Sequence, residues 1–243
     1  MKPSEHDNKI RLQVFLSHSG VCSRRRALEI IQEGRVTVNQ TIIEEPSTPV
    51  DPQKDQITVD DKPVAAKQYE YILLHKPQGY VTTRADKFAK KTVYDLLPAE
   101  FHHLVPAGRL DQDTEGLLLF TNDGDLVFDL THPSKEVSKT YFVRVKGLLS
   151  PQTVNTIQTG IVLEEKKTWP AQIEHLEWRA GNTEFCITIH EGRKRQIRRM
   201  LEAVSHPVMY LQRIQEGSLK LGALKSGQWR RLTTHEIQRL KKR

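Results

Sequence analysis

Cysteine is almost missing from this chain: there are two in 243 residues, Cys22 and Cys186, far apart and neither in a Cys-x-x-Cys pair. That argues against a disulfide framework and against a zinc site built on cysteine. His75, His102, His103 and His132 show no ligand spacing and read as non-ligands. No run approaches the roughly 18 consecutive apolar residues that a membrane span requires. The first eleven residues are polar and charged, without the apolar centre of a signal peptide. The protein is therefore expected in the cytoplasm, with no membrane partner. Aromatic residues make up only 7% and hydrophobic residues 37% of the chain, enough for a modest core and too many for a disordered segment. Long internal repeats and low-complexity stretches are lacking too.

What the chain does have is positive charge, unevenly spread. The formal net charge is +7. From Arg11 to Val64, 7 Lys and Arg stand against 8 Asp and Glu; from His190 to Arg243, 14 stand against 4. The C-terminal quarter thus carries more than the whole excess. A field so concentrated suits a phosphate backbone. A solvated basic face without a partner is the other reading, and charge alone leaves both open.

Residues 1–9 read as a flexible polar tail. Leu12, Phe15 and Leu16 then repeat at helical spacing until Ser17-His-Ser-Gly20. Ser23 is a good N-cap for a second helix over Arg24 to Glu33, with Ala27, Leu28, Ile30 and Ile31 as its apolar residues and Gly34 closing it. Short strands follow at Arg35 to Asn39, Ile42–Ile43 and Ile57 to Val59. Arg24, Arg25 and Arg26 crowd the N-terminus of the second helix, where the dipole is already positive. An anionic partner would benefit from both; an ordinary solvated face is the alternative. The ordered set Leu-x-x-Phe-Leu, Ser-Gly-Val-x-Ser-Arg-Arg-x-Ala and Gly-Arg-Val-x-Val-Asn resembles the S4 RNA-binding domain over residues 10–66. Gln40 stands where that family has Gly. A positive φ there strains a non-glycine residue, unless Asn39 takes that conformation instead.

Residues 67–70 read as a linker, and 71–243 as a second domain. Strands are predicted at Tyr71 to Leu74, Leu117 to Phe120, Lys139 to Val145, Gln172 to Trp178 and Glu184 to His190. Helices are predicted at Val93 to Leu97, Leu126 to Leu130, Ser150 to Gln158 and Arg195 to Val204. The pattern is α+β: a small S4-like domain, then a mostly antiparallel sheet with helices packed on it.

The most informative stretch runs from Ala107 to Gly124. Gly108 and Gly116 bracket a polar loop holding Arg109, Asp111, Asp113, Thr114 and Glu115, which leads into an apolar strand. Three carboxylates so close repel one another unless paired or solvated. The calcium-loop spacing is absent. A carboxylate pair for glycoside chemistry, a single ionised Asp beside an arginine, and a charged surface turn remain. Gly-Arg-Leu-Asp-x-Asp-Thr-Glu-Gly-Leu-Leu-Leu is similar to the signature loop of pseudouridine synthases of the RsuA/RluB type. Lys76-Pro-x-Gly79, Lys139-Thr-Tyr141, the basic run Glu191 to Met200 and the closing stretch Leu221 to Leu232 follow in that family's order.

The resemblance implies an isomerase of ribosomal RNA that needs neither cofactor nor metal. It makes Asp111 the catalytic carboxylate, attacking either the sugar C1′ or the uracil C6. Tyr141 matches the tyrosine that stacks on the extruded base. Arg198 is the expected cation beside Asp111, with Arg195 as runner-up, and Arg109 orients the loop or contacts RNA. Lys76, Lys139, Arg193, Lys194, Arg195 and Arg199 are expected to touch RNA or shape the cleft, and Arg24, Arg25 and Arg26 to grip a second RNA element. The basic run looks closer to the large-subunit (RluB-like) branch, so a stem-loop or bulge of 23S ribosomal RNA, free or in an assembling particle, is the expected partner of a monomer. A 16S target, a non-catalytic ribosome assembly factor and a hydrolase using Asp111 with Asp113 are the alternatives.

Overall fold

Ser23 begins the second helix by accepting a hydrogen bond from the Arg26 N–H, and Gly34, at φ 71°, ends it. The N–H groups of Gly34 and Arg35 return to the carbonyls of Ile31 and Ile30, so the helix closes on a paired glycine cap. The computed structural model describes residues 9–65, 68–84 and 90–242. It falls into two units, Met1–Tyr69 and Glu70–Arg243. The expected tail, Lys9 apart, and the first residue of the expected linker lie outside the described residues.

In the first unit, α1 (Leu12–His18) and α2 (Arg24–Gln32) cover a four-stranded antiparallel sheet. Its strands are β1 (Val36–Val38), β2 (Thr41–Ile42), β3 (Ile57–Val59) and β4 (Lys62–Val64), in the order β2-β1-β3-β4. Leu12, Phe15, Leu16, Ala27, Ile30 and Ile31 bury against Val36, Val50 and Ile57. Leu28, expected among the apolar residues of α2, is 40% exposed, because it lies one residue off the inward stripe. Between β1 and β2 both turn residues are left-handed, Asn39 at φ 50° and Gln40 at φ 69°. The two-residue hairpin needs both, so Asn39 does not spare Gln40 the strain.

The second unit is built on a nine-stranded sheet among the described residues. Its elements in chain order are β5 (Tyr71–Lys76), β6 (Glu115–Thr121), α3 (Gly124–Thr131), β7 (Lys139–Lys146), α4 (Pro151–Thr159), β8 (Val162–Leu163), β9 (Lys166–Lys167), β10 (Gln172–Arg179), β11 (Asn182–Ile189), α5 (Gln196–Ala203), β12 (Val208–Glu216), β13 (Leu219–Lys220), β14 (Trp229–Arg231) and α6 (Thr234–Lys241). The sheet runs β10-β11-β7-β12-β6-β5-β14, with β13 and the short strand Val105–Pro106 paired off that path; β8 and β9 pair only with each other. Among the described residues all pairs of this sheet are antiparallel except β6 with β12. At that junction Gly116 lies so close to β12 that a Cβ would meet the Arg213 carbonyl oxygen at 2.3 Å. Only glycine permits this approach, at a φ of 115° that also favours it. The join brings the carboxylate loop, which precedes β6, next to the middle of the sheet.

One irregularity matters for the site. Opposite β7, Thr140 faces Gln215 while Tyr141 faces Arg213, so β12 carries one extra residue there. Residues three apart on a regular strand face opposite ways; the bulge puts Arg213 and Glu216 on the same face, beside Tyr141 and Lys139.

Candidate active site

An open cavity of about 680 Å³ lies in the second unit, walled by the carboxylate loop, β7, β12 and the residues leading into α5. Asp111, Arg109, Tyr141, Lys139, Arg193, Lys194, Arg195 and Arg198 all line it, although they are spread over ninety residues of sequence. Arg199 and Lys76 do not.

The loop that carries Asp111 is held from beneath. Lys76, expected at the rim or on RNA, is fully buried at the end of β5. Its ammonium donates to the carbonyls of Asp111 (3.0 Å), Thr114 (2.8 Å), Gln112 (3.4 Å) and Pro77 (3.0 Å). The lysine adds to the few backbone donors that reach this tight loop, the Thr114 N–H on the Asp111 carbonyl and the Gly79 N–H on that of Gln112. Burial pulls its pKa down to about 8, against the opposing pull of Asp113, Asp111 and Glu115. Thr82 exchanges hydrogen bonds with the Leu110 carbonyl and N–H, and Gly79 N–H donates to the Gln112 carbonyl. Asp111 is therefore fixed through its own main chain and both neighbours.

From above, two arginines of the α5 region hold the same loop through Asp113. Arg195, left-handed at φ 52°, donates from both terminal nitrogens to its carboxylate at 3.1 and 2.9 Å. Arg198 places Nε 3.2 Å from the carboxylate and donates from Nη2 to the Asp113 carbonyl at 2.7 Å. The cation assigned to Asp111 thus pairs with Asp113, two residues on. Burial pushes the Asp113 pKa up, but the Arg195 and Arg198 guanidiniums win and leave it below the usual carboxylate range. Glu115 faces the other way, accepting from the Tyr210 hydroxyl (3.0 Å) and lying 2.9 Å from His75 Nε2.

Tyr141 lines the cavity from β7 while packing partly on the apolar clusters either side. Beside it lies a buried charge network that the sequence did not announce. Arg213 is 2% exposed, donates from Nε to the Leu117 carbonyl at 2.9 Å, and stands 3.4 Å from Glu216, which is 1% exposed. Lys139 Nζ is 3.8 Å from the same carboxylate and donates to the Leu130 and Val137 carbonyls. Burial raises the pKa of the Tyr141 phenol, with Arg213 opposing.

Other expected RNA contacts are engaged within the protein. Arg193 donates to the carbonyls of Lys166 and Lys167 and pairs with Glu191; Arg199 pairs with Glu164. In the first unit, Arg26 pairs with Glu29 at 2.7 Å and Glu33 at 3.5 Å, whereas Arg24 and Arg25 are exposed beside it.

A loop carboxylate, a cavity-facing tyrosine and basic walls fit a nucleotide, and comparison with known proteins agrees. A family model for RNA pseudouridylate synthase matches residues 70–203, and one for the S4 domain matches residues 10–57. The chain belongs to the RNA pseudouridylate synthase family. It is 42% identical to the ribosomal large subunit pseudouridine synthase B of Bacillus subtilis (strain 168), over 95% of both chains. It is 39% identical to an uncharacterized RNA pseudouridine synthase of Aquifex aeolicus (strain VF5), over 96% of this chain and 94% of that one. A solved pseudouridylate synthase overlays it with a TM-score of 0.68 at 31% identity, covering 95% of this chain and 99% of that one. In this synthase the signature loop, the tyrosine strand and the basic helix meet at one cavity. Arg213 and Glu216 went unread because their only signal was a pair of charges in an otherwise ordinary strand, placed on one face by a bulge that composition does not reveal.

Proposed function

We propose that this synthase isomerises one uridine of ribosomal RNA, in the large-subunit RNA, with Asp111 as the reacting carboxylate. The observation that carries the reading is the shared cavity: Asp111 and Tyr141 line it together, with the Arg195 and Arg198 guanidiniums against the Asp111 loop. The reaction breaks the C1′–N1 bond, forms a C1′–C5 bond, releases the C5 hydrogen as a proton and protonates N1, so the product is an isomer. Asp111 attacks at C1′ or at C6. Tyr141 stacks on the extruded base, replacing stacking lost in the RNA. Arg109, Lys139 and Lys194 meet phosphates at the cavity wall, and Arg24 and Arg25, on the S4-like module of residues 10–66, grip a second element. An unpaired loop or bulge gives up a base at little cost and is the substrate form. The 42% identity to a synthase named for the large subunit supports that RNA over the small-subunit one. The enzyme works as a cytoplasmic monomer.

Incubation of the protein with unmodified transcripts of both ribosomal RNAs, and with assembling particles, tests the reading when pseudouridine is mapped by chemical labelling and sequencing. One new pseudouridine in large-subunit RNA is expected. Modification of small-subunit RNA alone overturns the target. RNA binding with no pseudouridine in any sample favours an assembly factor.

A further inference from the structure

Beside the cavity stands a hairpin that no sequence motif marks. In β8 and β9, Val162 lies opposite Lys167 and Leu163 opposite Lys166, around Glu164 and Glu165, both left-handed. Two hydrogen bonds between Ile161 and Thr168, at 2.8 and 2.9 Å, close its base. Ile161 and Leu163 turn inward and join the apolar core beneath. The alternation turns Val162 (63% exposed), Lys167 and Trp169 (41% exposed) outward, and Lys166 is also exposed.

The hairpin is clamped to the cavity wall. Arg193 donates to the Lys166 carbonyl at 2.9 Å, to the Lys167 carbonyl at 2.7 Å and to Glu191 at 3.0 Å. Glu191 accepts from the Trp169 N–H at 2.9 Å and from Gln196 at 2.7 Å. Arg199 pairs with Glu164 at 2.8 Å, countering one of the two acidic charges at the tip. Glu191, Arg193 and Gln196 all line the cavity. The same side chains thus shape the site and anchor the backbone of an exposed tryptophan that follows two lysines.

We propose that this hairpin is a second RNA-reading surface of the enzyme. Trp169 stacks on an unpaired nucleotide next to the target, and Lys166 and Lys167 meet the flanking phosphates. The proposal rests on RNA as the substrate. Extruding one base leaves its neighbours poorly stacked, and an aromatic face beside cations is the chemistry that captures them without reading sequence. A rigid platform loses little conformational entropy on binding. The exposed Lys194 on the same wall extends the positive surface toward the cavity, which favours a polyanion over a protein partner.

The test uses the full-length protein, large-subunit transcripts, and the variants Trp169→Ala, Trp169→Phe and Lys166→Ala/Lys167→Ala. RNA affinity is measured across a salt series, and the single-turnover rate at saturating RNA. Trp169→Ala should weaken binding roughly tenfold, within the range for losing one base stack, and Trp169→Phe should restore most of it. The double lysine variant should flatten the slope of log affinity against log salt by about one per lysine. The saturated rate should hold. Unchanged affinity and slope overturn the proposal, as does a loss confined to the saturated rate, which would make the hairpin a mere support for the cavity. Should Trp169→Ala unfold, the surface lysine pair decides alone. Wild-type protein that forms no pseudouridine on any RNA would instead sink the functional reading.

Discussion

Lys76 shows how one buried side chain can hold the Asp111 loop from beneath. Its ammonium joins three carbonyls of residues 111–114, of which those of Asp111 and Gln112 also accept one backbone N–H each. Lys76→Met keeps the bulk and removes the donors, and a small displacement of Asp111 then costs on the order of 10²-fold in the single-turnover rate, more than in RNA affinity. The same lysine leaves a signature in stability. Its folded pKa, about 8, lies below the ordinary value of 10.5, so between those pH values the unfolded chain holds more protons. Stability from this group therefore rises with pH across that window. Denaturant unfolding from pH 7 to 10.5 should show a rise in wild type that Lys76→Met lacks. Arg213 is the second residue to probe. Arg213→Met leaves Glu216 buried with Lys139, at 3.8 Å, as its one remaining cation among the described residues, so unfolding free energy should fall by about 3–5 kcal/mol. Arg213→Met/Glu216→Leu should recover much of that loss, and no recovery would mean that the pair is not coupled.

At the scale of elements, what could be read from the sequence was what local physics decides alone. Ser23, Gly34, Ser150 and Pro151 mark helix ends by capping chemistry, and the helices begin and end there. Leu117 to Phe120 is apolar throughout because β6 lies in the middle of the sheet. The candidate site residues were found by motif order, and most meet at one cavity. Their partners were not legible, since these depend on distant strands and on the bulge in β12. Lys76 is the clearest case: a lysine after a strand reads as solvent-facing, and only the loop above it explains its burial. The parallel join of β6 and β12 was equally hidden, although its cause is one residue, Gly116. Gly116→Ala drives a methyl into the Arg213 backbone and should cost at least about 3 kcal/mol in thermal or denaturant unfolding. Cost below about 1 kcal/mol would show that the strands can part without harm.

For the whole molecule, the excess positive charge of the C-terminal quarter proves only partly available to RNA. Arg193 and Arg199 are engaged with the hairpin, Arg195 and Arg198 with Asp113, and Arg213 with Glu216. Exposed Lys194 has no such engagement among the described residues. Lys194→Ala should lower the salt slope of RNA binding by about one, whereas Arg193→Ala should act mainly through the hairpin, loosening it and weakening binding at every salt concentration. The central claim is the reacting carboxylate, and one measurement addresses it most directly. RNA transcribed with tritium at uridine C5 is incubated with wild type and with Asp111→Asn in single turnover, and tritium released to water is counted beside RNA affinity. Wild type should release close to one tritium per target, and the variant none while still binding RNA. Release by Asp111→Asn near the wild-type rate would contradict the account.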